Sequence, residues 1–140
     1  MAVIVRLFDT SAILVHYFRA PGAERVHALL AQADGRAGFC TASVPELWGA
    51  LCSSLESEAD AERITRLYTT EVMRLMEIDR LVSDEAWRVL MRFRRLGTIR
   101  SLVAATAIAN SRAVLVHADS SFSSLPMEIL DQVDVRATST

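Results

Sequence analysis

Short apolar, β-branched runs alternate along this chain with helix-like segments, and this alternation restricts the fold more than any other feature. Strands are predicted at residues 3–8, 38–41, 75–78, 113–116 and 133–135. Helical patterns lie between them, at 12–19, 23–33, 58–74, 83–96 and 101–110, and in a segment that begins near Ser43. Strands separated by helices pair in parallel. The sequence therefore predicts an α/β fold with a central, mostly parallel, twisted sheet of four to five strands flanked by helices.

Polar residues mark where two of these helices begin. Asp9, Thr10 and Ser11 directly precede the first helix, and any of them can cap it by accepting a backbone N–H. Ser43 is the expected cap of the third helix, with Pro45 in its first turn. No repeat, linker or low-complexity stretch interrupts the pattern, and 140 residues suit one domain. We expect a single domain over residues 1–140.

Composition narrows the possible functions. Apolar residues make up 51% of the chain, which favours burial of some surface against a partner, and the net charge of −2 gives no overall basic field for nucleic acid. No apolar stretch approaches the length of a membrane span, and Arg6 and Asp9 interrupt the layout of a signal peptide. Cys40 and Cys52 are expected to be free thiols. A cytoplasmic location is the resulting expectation.

Three acidic residues stand at comparable places along the alternation. Asp9 follows the first strand-like run, Glu46 follows residues 41–45, and Asp119 follows residues 114–118. Functional sites in open α/β sheets lie at the carboxyl ends of the strands, so these side chains are expected to share a pocket. A hard cation such as Mg²⁺ would offset their repulsion. Each acid alone also suits a local role: a helix cap for Asp9, a helix-dipole contact for Glu46 and a turn for Asp119.

Four segments together resemble the PIN-domain nucleases, and most closely the VapC-type toxins of prokaryotic toxin–antitoxin pairs. The segments are residues 8–14 (FDTSAIL), 43–47 (SVPEL), 102–107 (LVAATA) and 115–122 (LVHADSSF). The resemblance implies that Asp9, Glu46 and Asp119 hold Mg²⁺ or Mn²⁺ and catalyse RNA cleavage. It also implies a homodimer and a small antitoxin protein that occludes the pocket.

The chain departs from this pattern at two positions. Arg100 stands where a fourth acid is usual, two residues before Leu102, and His117 stands where a threonine or serine is common. We hypothesise that Arg100 pairs with Asp9 or Asp119, or binds an RNA phosphate if it points outward. His117 is compatible with a ligand or acid–base role and with packing at the strand end. Ser11, Arg100 and His117 are thus the candidate substrate contacts, and Ser11 is equally suited to capping.

Two alternatives to a weakened ribonuclease follow from these departures. One is a degenerate PIN domain that binds RNA or an antitoxin without cutting, which Arg100 favours. The other is a phosphoryl-transfer domain with an aspartate nucleophile, which also places an acid after its first strand. Such domains normally require a lysine, and all fifteen basic residues of this chain are arginine. The other histidines, His16 and His27, are expected to be packed or surface residues of the first two helices.

Overall fold

A computed structural model of the chain describes residues 3–137 and contains the predicted parallel sheet. Five strands are hydrogen-bonded in the order β3-β2-β1-β4-β5, and every pairing is parallel. The strands are β1 (Arg6–Phe8), β2 (Ala37–Cys40), β3 (Arg74–Met76), β4 (Val114–His117) and β5 (Gln132–Asp134). The helices are α1 (Thr10–Phe18), α2 (Ala23–Ala33), α3 (Ser43–Leu55), α4 (Glu58–Arg66), α5 (Arg80–Arg92) and α6 (Thr98–Ala109). The predicted α/β fold is confirmed.

The centre of the sheet determines where side chains can converge. Phe8 of β1 lies opposite Phe39 of β2 on one side and Val116 of β4 on the other. The chain winds from β1 through β2 to β3 on one side and then continues with β4 and β5 on the other. The crevice between the carboxyl ends of β1 and β4 is therefore the point where the strand order reverses, which is the usual ligand position in such sheets.

Two hydrophobic clusters cover the two faces of the sheet. Alternation along β1 sends Leu7 and Phe8 to opposite clusters, and both are fully buried. The cluster around Phe8 includes residues of α1 to α4, and the cluster around Leu7 includes residues of α5 and α6. Ala104, Ala105 and Ala107 of α6 are buried where this helix contacts α5, β1, β2 and β4. Their small side chains allow α6 to pack closely against the sheet and α5.

Two predicted helices are divided in the structure. The helix expected at 58–74 ends at Arg66 and continues as a π-helical segment, Leu67–Val72, before β3. Thr69 and Thr70 direct their hydroxyls to backbone carbonyls four residues earlier, which competes with regular helical bonding. The helix expected at 83–96 begins at Arg80 because Asp79 caps it, and its last residues form a separate 3-10 turn, Arg94–Leu96.

Two helix starts also differ from expectation, and one of them affects the site. The predicted cap Ser43 is the first residue of α3, and its buried hydroxyl has no hydrogen-bond partner within residues 3–137. The helix expected from Ser101 begins at Thr98, directly after Gly97, so Arg100 lies in its first turn. Cys40 and Cys52 are free. Within the described chain, no helix has the length and apolar character needed to cross a membrane.

Candidate functional site

Asp9 is held at the carboxyl end of the central strand. Its backbone N–H donates to the carbonyl of Val116 at 2.9 Å, which extends the pairing of β1 with β4 by one residue. The residue caps α1, because its carboxylate Oδ2 accepts the backbone N–H of Ser11 at 3.0 Å. Only 6% of Asp9 is exposed. The capping role predicted for Asp9 is therefore met, and it leaves the carboxylate at the floor of the crevice.

The Ser11 hydroxyl joins the two strands that form this crevice. It donates to Oδ2 of Asp9 at 2.5 Å and accepts the backbone N–H of Ala118, the residue after β4, at 2.9 Å. A single side chain therefore fixes the Asp9 carboxylate relative to the end of β4. Ser11 borders the crevice, but both of these contacts are to the protein itself.

Glu46 reaches the same crevice from the first turn of α3. Its Oε1 accepts a hydrogen bond from the Thr10 hydroxyl at 3.2 Å, and that hydroxyl also lies 3.4 Å from the carbonyl of Ser43. Thr10 thus connects the start of α1 to the start of α3. The sequence pointed to Thr10 only as a possible cap, because its link to Glu46 spans 36 positions of the chain.

Asp119 lies two residues after β4 and is ion-paired. Its Oδ2 accepts a hydrogen bond from Nε of Arg100 at 2.6 Å, and its Oδ1 accepts the backbone N–H of Ser121 at 3.0 Å. The Asp119 side chain is 23% exposed and that of Arg100 is 44% exposed. Of the two partners hypothesised for Arg100, the structure selects Asp119.

His117 is fully buried and contacts the backbone of Asp119. Its Nδ1 accepts the backbone N–H of Asp119 at 3.2 Å, so the ring proton must lie on Nε2, which donates to Oε1 of Gln132 at 2.8 Å. The Gln132 amide in turn donates to the carbonyls of Phe122 and Leu125. Both ring nitrogens of His117 are therefore engaged within the protein. Gln132 was not foreseen, because a lone glutamine in a short strand carries no sequence signal.

The three carboxylates differ in their electrostatic state. Burial raises the pKa of Asp9, and the hydrogen bonds from Ser11 offset this only in part. Loss of solvent raises the pKa of Glu46, and the negative charge of Asp9 adds to that rise. Burial would also raise the pKa of Asp119, but the hydrogen bond and positive charge of Arg100 leave it below its ordinary value. Asp119 is thus paired with Arg100, whereas the pKa of Asp9 and that of Glu46 stay raised, although the positive charge of Arg100 offsets part of the rise at Glu46.

Asp9, Glu46 and Asp119 line one cleft of about 460 Å³, as their positions in the sequence predicted. Ser11 and Arg100 also line it, while the buried His117 does not. Within residues 3–137, no three His, Cys, Asp or Glu side chains form a ready-made metal-binding group. The available oxygen donors still fit Mg²⁺ or Mn²⁺, because Mg²⁺ commonly uses one or two carboxylates and completes its shell with water and substrate phosphate.

His16 and His27 lie away from this cleft, at a second and larger one of about 1150 Å³. Nε2 of His16 lies 3.2 Å from Nδ1 of His27, and Nδ1 of His16 lies 2.7 Å from the Tyr68 hydroxyl. The two imidazole planes differ by only 3°, with ring centroids 5.4 Å apart. This separation is close to the nitrogen–nitrogen distance plus two ring radii, so the rings meet edge to edge through the hydrogen bond between Nε2 of His16 and Nδ1 of His27. His16 of α1 is partly buried and His27 of α2 is exposed, so one is a packed and the other a surface residue of the first two helices, as expected.

Comparison with known proteins agrees with this architecture. The family model described as "PIN domain" matches residues 6–127, a span that includes all three acids and Arg100. No curated protein sequence gives a significant match to the chain.

Several solved structures share the fold over nearly the whole chain. DNA-bound VapBC from Salmonella typhimurium superposes with a TM-score of 0.74 at 15% identity, covering 94% of this chain and 98% of that one. VapBC-1 from nontypeable Haemophilus influenzae gives a TM-score of 0.72 at 17% identity, covering 96% and 100%. VapC20 from Mycobacterium tuberculosis, described as a sarcin–ricin loop cleaving toxin, gives 0.69 at 18% identity, covering 85% and 93%.

Proposed function

This chain belongs to the PIN-domain family, and from that membership and its acidic cleft we propose that it is a metal-dependent endoribonuclease of the VapC toxin type. The similar solved structures include VapBC complexes and a toxin described as cleaving the sarcin–ricin loop, which supports this choice within the family. The replacement of a usual acid by Arg100 leads us to expect lower activity than a four-acid site would have.

The observation that carries the proposal is a pair of carboxylates on one cleft, neither of which forms a salt bridge within residues 3–137. Asp9 and Glu46 border the same cleft, and the negative charge of Asp9 contributes to the raised pKa of Glu46. Buried or partly desolvated acids of like charge are costly for a protein to keep unless a ligand neutralises them. A divalent cation matches both the charge and the oxygen chemistry of this pair. We therefore assign the cation to Asp9 and Glu46.

The remaining residues have supporting roles in this proposal. A cation held by Asp9 and Glu46 would supply activation of water and neutralisation of the charge that develops on the phosphate. Ser11 orients the Asp9 carboxylate and Thr10 orients that of Glu46. The buried His117 fixes the backbone of Asp119 and makes no contact with substrate in this proposal.

The expected partners follow the VapC type. The similar VapBC structures are toxin–antitoxin complexes, so we propose a small antitoxin as the protein partner and RNA as the substrate. We also propose a cytoplasmic homodimer. Several large apolar side chains of the described chain are exposed and would supply apolar area for such contacts, Trp87 and Met91 of α5 among them.

Cleavage of a labelled single-stranded RNA tests the enzymatic proposal. Wild-type protein should give endonucleolytic products with Mn²⁺ and none with EDTA. The change Asp9→Asn removes the charge that holds the cation and should lower cleavage about 100-fold or more, since loss of even outer-shell partners costs about 10- to 100-fold. Asp84→Asn, at an exposed position of α5 outside the cleft, is the matched control and should cleave normally. Undiminished cleavage by the Asp9→Asn protein would refute the assignment.

A second candidate function is RNA or antitoxin binding without cleavage. The Arg100–Asp119 ion pair favours it, because it removes one carboxylate from the set available to a cation. Calorimetric titration with Mn²⁺ separates the candidates. Saturable binding that is lost in Asp9→Asn supports the nuclease, and an absence of binding by the wild-type protein supports the binding module.

A further inference from the structure

The ion pair between Arg100 and Asp119 leaves part of the guanidinium unused. Only Nε of Arg100 donates to Asp119, although the group carries five N–H donors in a rigid planar fork. Nη1 and Nη2 take part in no hydrogen bond with any residue between 3 and 137. We propose that Asp119 is a positioning residue: it holds Arg100 by Nε so that Nη1 and Nη2 bind a phosphate oxygen of the RNA. This inference rests on the proposed function, because it describes how the same cleft takes its substrate.

Asp119, which would orient Arg100, is itself held through both its carboxylate and its backbone. Ser121 donates to its Oδ1, and the Asp119 backbone N–H donates to the buried His117 ring. That ring is fixed in turn by Gln132, whose amide is tied to two backbone carbonyls. Asp119 therefore presents Oδ2 from a fixed position, and the hydrogen bond from Nε at 2.6 Å holds the guanidinium next to it.

Without a bound metal ion, the cleft needs a positively charged side chain to accept a polyanion. Arg100 is the only positively charged side chain among the described residues that line it, and it faces the carboxylates of Asp9, Glu46 and Asp119. A phosphate that entered an otherwise acidic cleft would be repelled. The planar fork of arginine suits two parallel hydrogen bonds to a phosphate, and at 44% exposure the Arg100 side chain is accessible from solvent.

Binding of RNA in the presence of EDTA tests this inference without cation or cleavage. Fluorescence anisotropy of a short labelled single-stranded RNA gives the affinity over a series of salt concentrations. Arg100→Gln should weaken binding about tenfold, the lower range for a charged hydrogen bond at a half-exposed site. It should also reduce the slope of log affinity against log salt by about 0.7, the value for one phosphate contact on a single strand.

Two further variants test whether the loss of affinity depends on the guanidinium group and on its location in the cleft. Arg100→Lys keeps the charge but lacks the planar fork in which Nε faces Asp119 while Nη1 and Nη2 form two parallel hydrogen bonds to a phosphate, so affinity should fall while the salt slope is largely kept. Arg63→Gln removes an arginine from an exposed position of α4 outside the cleft and should leave both quantities unchanged.

A double-mutant cycle tests the positioning role of Asp119. If Asp119 orients Arg100, then Arg100→Gln should cost about tenfold in the wild-type background but much less in Asp119→Asn, where the guanidinium is no longer held. If Asp119 merely competes for the guanidinium, the cost should instead grow in Asp119→Asn. Growth or strict additivity would overturn the inference. So would an unchanged affinity in Arg100→Gln, or failure of the wild-type protein to bind RNA in EDTA.

Calorimetry with Mn²⁺ supplies an independent readout. Asp119→Asn should bind Mn²⁺ within about twofold of the wild type, whereas Asp9→Asn should lose binding. An equally severe loss in both variants would make Asp119 a direct ligand and overturn the positioning role. The RNA cycle and the cation titration are separate measurements. Failure of the proposed nuclease would appear as no Mn²⁺ binding and no cleavage, and failure of this inference as an unaltered RNA affinity in Arg100→Gln.

Discussion

Replacement of Ser11 by alanine is expected to destabilise the protein more than any other removal of a single hydroxyl in the cleft. The Ser11 hydroxyl donates to the Asp9 carboxylate at 2.5 Å and accepts the Ala118 N–H at 2.9 Å. Ser11→Ala breaks both bonds. It leaves in place the backbone N–H of Ser11 that donates to Asp9, so the cap of α1 survives.

The magnitude follows from these two bonds. A hydrogen bond to a charged group contributes about 1.5–3 kcal/mol, and a stranded, partly buried N–H costs about 1 kcal/mol at the low end of its range. We therefore expect the free energy of unfolding to fall by about 3 kcal/mol. That is a large part of the roughly 5–15 kcal/mol typical of a domain. The corresponding decrease in Tm is about 10 °C for a chain of this size.

Urea unfolding and hydrogen exchange together check this prediction. Ser53→Ala, at an exposed position of α3, is the matched control and should change the free energy of unfolding by less than about 0.5 kcal/mol. In Ser11→Ala the amide of Ala118 should exchange faster than in the wild type, because its acceptor is gone. A loss below about 0.5 kcal/mol with unchanged protection of that amide would refute the bridging role of Ser11.

Substitutions at four other positions should change stability in directions that burial, charge and backbone conformation determine. Asp9→Asn should raise the Tm of the metal-free protein, since burial raises the pKa of Asp9 and its charge is costly at neutral pH, yet it should abolish the Tm increase that Mn²⁺ gives the wild type. Desolvation and the charge of the adjacent His27 lower the pKa of His16. The free energy of unfolding should therefore fall as the pH decreases from about 6.5 through the pKa of His16 in the folded state. Urea titrations over this pH range should show a flatter pH dependence of that free energy for His16→Gln. Gly22→Ala should cost about 1–3 kcal/mol in thermal unfolding, because φ is +102° and a Cβ would lie 2.8 Å from the carbonyl oxygen of Val135. Gly49→Ala, in open space within α3, should instead stabilise by about 0.5–1 kcal/mol.

Local patterns were enough to predict most of the fold. The apolar runs and their spacing gave the five strands within one to three residues at each end, and α2 has the predicted bounds. The start of α5 and the end of α4 were missed because side-chain hydrogen bonds determine them. Asp79 moves the start of α5, and the threonine hydroxyls of the π-helical segment compete for carbonyls.

The convergence of the three acids on one cleft was also foreseeable, but the contacts within that cleft were not. The rule that ligands gather at the carboxyl ends of parallel strands brought Asp9, Glu46 and Asp119 together without any structural knowledge. The same reasoning could not separate two candidate partners for Arg100, nor decide between ligand and packing roles for His117. Both questions depend on contacts between residues that are 15 or more positions apart.

The sequence by itself determined the order of strands and helices and the edge of the sheet at which the acids lie. The reason is that the hydrophobic pattern and the residues that form turns and caps act over only a few residues of the chain. Only the tertiary structure decided how charge is distributed at that edge. There Arg100 forms a salt bridge with Asp119, whereas Asp9 and Glu46 form none within residues 3–137. Both ring nitrogens of His117 form hydrogen bonds within the protein. Electrostatic interactions depend on distance and on burial. The distances between these charges and their burial are set only when α6, β4 and β5 pack around the end of β1.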